Sequence, residues 1–227
     1  MSSNDARPHI TVQPNGPYLV SGPAILTRRA IVRSERGEPM TWQTTSHVET
    51  AETFALCRCG GSNAKPFCDG THRRNDFDGT ESAPTNTYAE RAKSYEATGV
   101  VMRDDRAICE HAGFCGNQAT NAWRLAQGDT TKDPVARMQL MHMIEHCPSG
   151  ALTFRLEPEG EDVEPALPVG IAVTRDGPYF VTGGIRIERS DGQSFETRNR
   201  VTLCRCGNSK SKPLCDGSHL QVGFQDG

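Results

Sequence analysis

One pattern of metal-binding residue types occurs twice and constrains the fold more than anything else in the chain. Residues 57–72 read CRCGGSNAKPFCDGTH, and residues 204–219 read CRCGNSKSKPLCDGSH. Both have the spacing C-x-C-x8-C-x3-H, so each gathers three thiols and one imidazole, a full ligand set for a small metal centre. The donor sets are Cys57, Cys59, Cys68 and His72, and Cys204, Cys206, Cys215 and His219. Three further cysteines, Cys109, Cys115 and Cys147, complete a total of nine, which an all-disulfide framework cannot pair.

The repetition extends beyond the cysteines. Ile10–Arg28 (ITVQPNGPYLVSGPAILTR) is echoed by Ile171–Arg189 (IAVTRDGPYFVTGGIRIER) at an offset of 161 residues, while the cysteine motifs stand 147 apart. Each echo reads as strand, Asn/Asp-Gly-Pro turn, strand, Gly bend and strand, with Ile10, Val12, Tyr18 and Val20 alternating against polar neighbours. The first copy carries an insertion around Ser34–Thr50, polar enough to read as a loop. After each motif the echo resumes, as Asn75–Gly79 and Val222–Gly227.

A different unit lies between the copies. Residues 80–93 read as a linker, Ala97–Met102 as a strand, and the segment from Gly116 to Ala126 as a helix. A second helix, from Asp133-Pro134 to about Glu145, has an N-cap residue and Pro at its first position. Its Val135, Met138, Met141 and Ile144 suggest a core-facing stripe. Ala151–Leu156 reads as a closing strand, and Glu157–Pro168 as a linker. The expected domains are therefore 9–79, 80–165 and 166–227.

Composition limits the alternatives. Hydrophobic residues make up only 35% of 227, with 22 Gly and 14 Pro, so a large apolar core is excluded and metal staples are expected instead. A net charge of −3 with scattered Lys and Arg leaves no footprint for nucleic acid. No stretch reaches the ~18 apolar residues of a membrane span, and the polar start MSSNDARPHI lacks the apolar centre of a secretion signal. A reducing cytoplasm is the expected setting, where clustered thiols bind metal rather than pair. No nucleotide-binding or hydrolase motif is present, so an enzyme is not expected.

The donors suit either zinc or an iron–sulfur cluster. In the cluster reading the C-x-C pair holds one iron, and the later Cys and His hold a second. Asp69 and Asp216 are placed to cap a short helix carrying His72 and His219. Zinc ligands more often come as C-x2–4-C. Of the remaining candidates, His142 and His146 read as a solvated helix face, Lys65 and Lys212 as either charge balance or exposed surface, and Trp42 and Trp123 as local packing.

Both motifs resemble the CDGSH iron–sulfur (NEET) family, named for the pentapeptide found here as Cys215-Asp216-Gly217-Ser218-His219 and, with Thr for Ser, as Cys68-Asp69-Gly70-Thr71-His72. The resemblance implies one 2Fe–2S cluster per motif. It also implies an α+β fold in which two β-rich units, each a β-cap over a cluster-binding part, pack as a dimer. Two units in one chain predict an intramolecular pseudo-two-fold pair and a monomer. The middle segment, Cys109-Glu-His-Ala-Gly-Phe-Cys115 followed by Cys147-Pro148, resembles divergent single-cluster ferredoxins over 95–157. That pattern carries a further cysteine where this chain has Ala112, which implies a 3Fe–4S cluster, or 4Fe–4S if His111 completes the set. The implied function is electron transfer with an unnamed redox partner. Cluster storage or delivery to an apo-protein acceptor, with the histidines as pH- or redox-sensitive release points, is a second reading. A zinc-stapled interaction module is a third.

Overall fold

The computed structural model describes residues 7–226. The first unit contributes β1 (His9–Val12), β2 (Tyr18–Ser21), β3 (Leu26–Arg33), β4 (Pro39–Val48) and β5 (Thr53–Leu56). The middle unit adds α1 (Tyr88–Arg91), β6 (Lys93–Ala97), β7 (Val100–Asp104), α2 (Ala122–Leu125), α3 (Pro134–Glu145) and β8 (Leu152–Arg155). The second unit supplies β9 (Gly170–Thr174), β10 (Tyr179–Thr182), β11 (Arg186–Glu188), β12 (Arg200–Leu203) and α4 (Ser218–Gln221). Gly227, the last residue of the second echo, and residues 1–6 lie outside the described residues.

The two units do not merely abut; they exchange strands. One sheet runs β11-β1-β2-β5 and another β12-β10-β9-β3-β4. The exchanged pairings are equivalent and parallel, β1 on β11 (Ile10 opposite Ile187) and β3 on β9 (Leu26 opposite Ile171). This is the pseudo-two-fold arrangement expected, closed within one chain. Alternation puts Ile10, Val12, Tyr18 and Val20 inward from the first unit, against Ile171, Val173, Tyr179 and Val181 of the second, in one shared core. At its centre the Tyr18 and Tyr179 rings meet edge to face, with centroids 6.0 Å apart.

The insertion is not a loop. Residues 39–48 form β4, antiparallel to β3 at a sheet edge. Thr41, Thr44, Thr45 and Val48 are β-branched and favour strand. Both faces are largely exposed, so no apolar alternation marks it. Trp42 packs against Phe114 of the middle unit and Phe180 of β10, with centroids at 5.3 and 5.6 Å. It covers Phe180 on the second unit's sheet, where β9 and β10 are buried along nearly their whole lengths.

In the middle unit the expected strand 97–102 is a hairpin, β6 and β7, turning at Thr98-Gly99, and β8 completes the sheet. The helix expected over 116–126 shrinks to α2. The second helix is present as α3, capped by Asp133, whose carboxylate accepts from the Val135 N–H. Its buried residues are Leu140, Met143 and Ile144, while Val135 and Met138 are 64% and 65% exposed. A strict three-residue spacing rotates around a 3.6-residue helix, so those two leave the core face. Arg200 of β12 fixes the C-terminus of α3. Its guanidinium donates to the Ile144, Glu145 and Leu152 carbonyls and pairs with Glu164 at 2.9 Å. The free carbonyls of a helix end favour such a cation, and this contact ties the middle unit to the second CDGSH-like unit.

Candidate metal centres

Each doubled motif begins where a strand ends, at β5 and β12, so the sheet edge fixes the first cysteine. The Cys57 and Cys59 sulfurs stand 3.9 Å apart, and those of Cys204 and Cys206 3.8 Å. Two thiolates on one tetrahedral metal at about 2.3 Å stand ~3.7 Å apart. The second half of each motif forms a turn in which Cys68 Sγ lies 3.4 Å from His72 Nδ1, and Cys215 Sγ 3.4 Å from His219 Nδ1. A sulfur and an imidazole nitrogen on one such metal stand ~3.5 Å apart. Both units thus aim Nδ1 inward and arrange their donors as two pairs. Among the described residues, no group of three or more His, Cys, Asp or Glu is placed to hold a metal ion.

The aspartates act one position earlier than expected. Gly70 and Gly217, left-handed at φ 85°, occupy the N-cap positions. Asp69 and Asp216 accept from the Thr71 and Ser218 N–H groups at 3.0 Å, and from Asn63 and Lys210 N–H across the loop. Backbone N–H groups also reach the sulfurs, Gly61 to Cys59, Gly70 to Cys68 and Asn208 to Cys206, each at 3.4 Å. Such bonds favour thiolate. Within each C-x-C pair one thiol donates to its neighbour. Cys59 and Cys206 are lowered to about 6, chiefly by that bond, and Cys57 and Cys204 are pushed up.

Two tyrosines and two arginines outside the ligand pattern hold the two loops together. Tyr18 donates to the Cys204 and Pro213 carbonyls, and Tyr179 to the Cys57 and Pro66 carbonyls, so each unit's tyrosine secures the other unit's metal loop. Burial drives both phenol pKa values well up, which keeps them donors. Arg58 and Arg205, the middle residues of the C-x-C pairs, are buried and lie over Tyr18 and Tyr179 at 5.5 and 5.7 Å. Arg58 donates to the Gly79 carbonyl, and Arg205 to Gly177 and Thr174 carbonyls and to Asp226. Identical residues at equivalent positions of both copies were the available signal. A Cβ on Gly60 would stand 2.5 Å from the Cys206 carbonyl oxygen, and one on Gly207 2.7 Å from that of Cys59. Only glycine permits the two metal loops to touch back to back.

The two sites differ in exposure. Cys204, Cys206, Cys215 and His219 are all buried, whereas in the first unit only Cys57 is, with Cys59, Cys68 and His72 half-buried. His219 is lowered from the usual imidazole value, first by burial and then by Arg205. Cys215 is raised, first by burial and then by the carboxyl of Glu110.

The middle unit brings Cys109, Cys115 and Cys147 around one cavity of about 130 Å³, with His111 and Ala112 in its wall. Their mutual proximity is visible in Cys115, pushed up to about 11 by burial and then by Cys147 and Cys109. The Arg106 guanidinium reaches Cys109 Sγ at 3.6 Å and stacks on Trp123 at 4.1 Å. Glu110, also not anticipated, is wholly buried and faces Thr202 of β12; desolvation pushes it up to about 8. His142 and His146 stack on each other with centroids 4.1 Å apart, and His146 Nδ1 lies 2.9 Å from the His142 carbonyl. Lys65 donates to the Ser62 carbonyl. No helix among the described residues is long and apolar enough to cross a membrane.

Comparison with known families agrees with this division. The model described as "Iron-binding zinc finger CDGSH type" matches residues 15–73 and again 176–220. That described as "Divergent 4Fe-4S mono-cluster" matches 95–157. Searches of the curated proteins and of the solved structures found no match. The chain is a tandem CDGSH-type iron–sulfur protein, α+β in fold, with a divergent mono-cluster unit inserted between its two CDGSH units.

Proposed function

We propose that the chain is a three-centre electron-transfer protein. Cys57, Cys59, Cys68 and His72 hold one 2Fe–2S cluster, and Cys204, Cys206, Cys215 and His219 hold the other. Cys109, Cys115 and Cys147 hold a 3Fe–4S cluster. The observation that carries this reading is the pairing of donors, Cys with Cys and Cys with His Nδ1, at spacings suited to two metals per site. Zinc, held tetrahedrally, would instead draw four donors around one ion. Bound clusters supply one-electron redox chemistry. The residues hold them near one another, shield them unequally and place Arg106 beside the middle set. Cluster delivery to an apo-protein remains the second reading, favoured by the half-buried His72.

The nuclearity of the middle centre is testable through Ala112, which stands in the cavity wall where a fourth thiol would belong. Ala112→Cys should add about one iron per chain and remove the oxidised 3Fe–4S resonance from the electron paramagnetic resonance spectrum. A wild-type protein that lacks this resonance, with an iron count that Ala112→Cys leaves unchanged, would mean that the native site already holds four irons, with His111 as the remaining candidate ligand.

A further inference from the structure

Near-identical motifs sit in unlike surroundings. Around Gly70 a Cβ would meet nothing within 4 Å, whereas at Gly217 it would stand 3.0 Å from His111 Cδ2 and 3.1 Å from the Glu110 carbonyl oxygen. The segment 109–111, which begins with a cysteine of the middle set, is thus a roof over the CDGSH turn of the second unit. Arg198 and Arg200 tie the middle unit to the second CDGSH unit nearby, donating to the Gly150 and Leu152 carbonyls at 2.9 and 3.0 Å. Among the described residues, the first unit has no such cover. Cys68, His72 and Arg73 border an open cleft with Gln13, Pro17 and Leu19, and Cys59 borders a second cleft with Asn75 and Lys210.

We propose that the chain holds its donor sets in a row with different tasks. The Cys109/Cys115/Cys147 set stands at one end and the second CDGSH set is a retained relay in the middle. The first CDGSH set is the terminal at which electrons are exchanged with a partner. The links are the 109–111 segment lying on Gly217, and the contacts of Gly60 with Cys206 and Gly207 with Cys59. With clusters held by these residues, an electron leaving one centre would oxidise it and reduce the next, with no bond formed or broken. The inference rests on the reading of the sites as cluster sites, and it extends that reading by separating two motifs that look alike.

The test uses the full-length protein, anaerobically loaded and treated with an iron chelator in the presence of iodoacetamide. Freed cysteines are identified by mass spectrometry as they are alkylated. Cys57, Cys59 and Cys68 should be freed first, and Cys204, Cys206 and Cys215 roughly tenfold more slowly, the scale on which contacts beyond the ligands alter metal retention. Trimming the roof with His111→Ala should accelerate release of the second set towards the rate of the first. Equal rates, a reversed order, or no response to His111→Ala in a protein that contains iron and sulfide would overturn the division of tasks alone. A protein without iron or sulfide would overturn the cluster reading as well.

Discussion

The wild-type protein should lose its visible absorption below pH ~6.5, and replacing both His72 and His219 with cysteine should suppress that loss. As a ligand the imidazole is neutral, and a proton competes with metal for the Nδ1 that faces Cys68 or Cys215. Below the ordinary imidazole pKa the protonated fraction of a freed ring approaches saturation within about one pH unit, so recapture of metal fails there. A thiolate in the same place adds one negative charge and resists protonation down to lower pH when metal-bound. The sign for each site follows from its surroundings. His219 is lowered by burial and by Arg205, so it stays neutral to lower pH, and His219→Cys alone should gain less than His72→Cys. The added negative charge should also lower the reduction potential of each altered centre, the reverse of the trend set by histidine ligation. Stopped-flow absorption at pH 5.5 reads the first effect, and an unchanged rate of loss in both variants would exclude the histidines as release points.

Glu110→Gln should stabilise the protein, increasingly so as pH rises from 6 to 8. The buried carboxyl titrates at about 8 in the fold, against an ordinary 4.5. Between these values the unfolded chain releases the proton and the folded chain keeps it, so stability falls as pH rises through this window. Each pH unit of that window costs up to about 1.4 kcal/mol, and relaxation reduces the total to ~1–4 kcal/mol by pH 8. The glutamine amide is neutral throughout and matches the carboxyl in shape, facing the Thr202 hydroxyl of β12. For a chain of this size 1 kcal/mol corresponds to roughly 2–4 °C. Thermal unfolding followed by circular dichroism should therefore show a gap between variant and wild type that widens over pH 6–8. Parallel curves would mean that Glu110 is ionised in the fold.

What could be read in the sequence was whatever a local pattern encodes. The doubled cysteine spacing and the strand echo located both CDGSH units, and Asp133-Pro134 located the start of α3. The exchange of β3 and β11 between sheets has no local signature, because the same alternation serves either partner. β4 escaped notice because an exposed edge strand needs no apolar face. Arg58, Arg205, Tyr18 and Tyr179 were legible as repeated identities, but their tasks run across the pseudo-axis and appear only once the two units face each other. The unequal burial of His72 and His219 could not be read from motifs that differ at a few positions. It accompanies a tertiary contact, segment 109–111 resting on Gly217, that Gly70 lacks.

In the proposed reading, nine cysteines and two histidines hold three iron–sulfur centres. The direct test is iron and acid-labile sulfide analysis of the anaerobically purified full-length protein, with electron paramagnetic resonance before and after reduction. A red-brown protein with about seven irons per chain is expected, two from each 2Fe–2S cluster and three from the middle centre. Eight would mean a 4Fe–4S cluster in the middle unit, and a colourless protein carrying zinc without sulfide would rule out iron–sulfur centres.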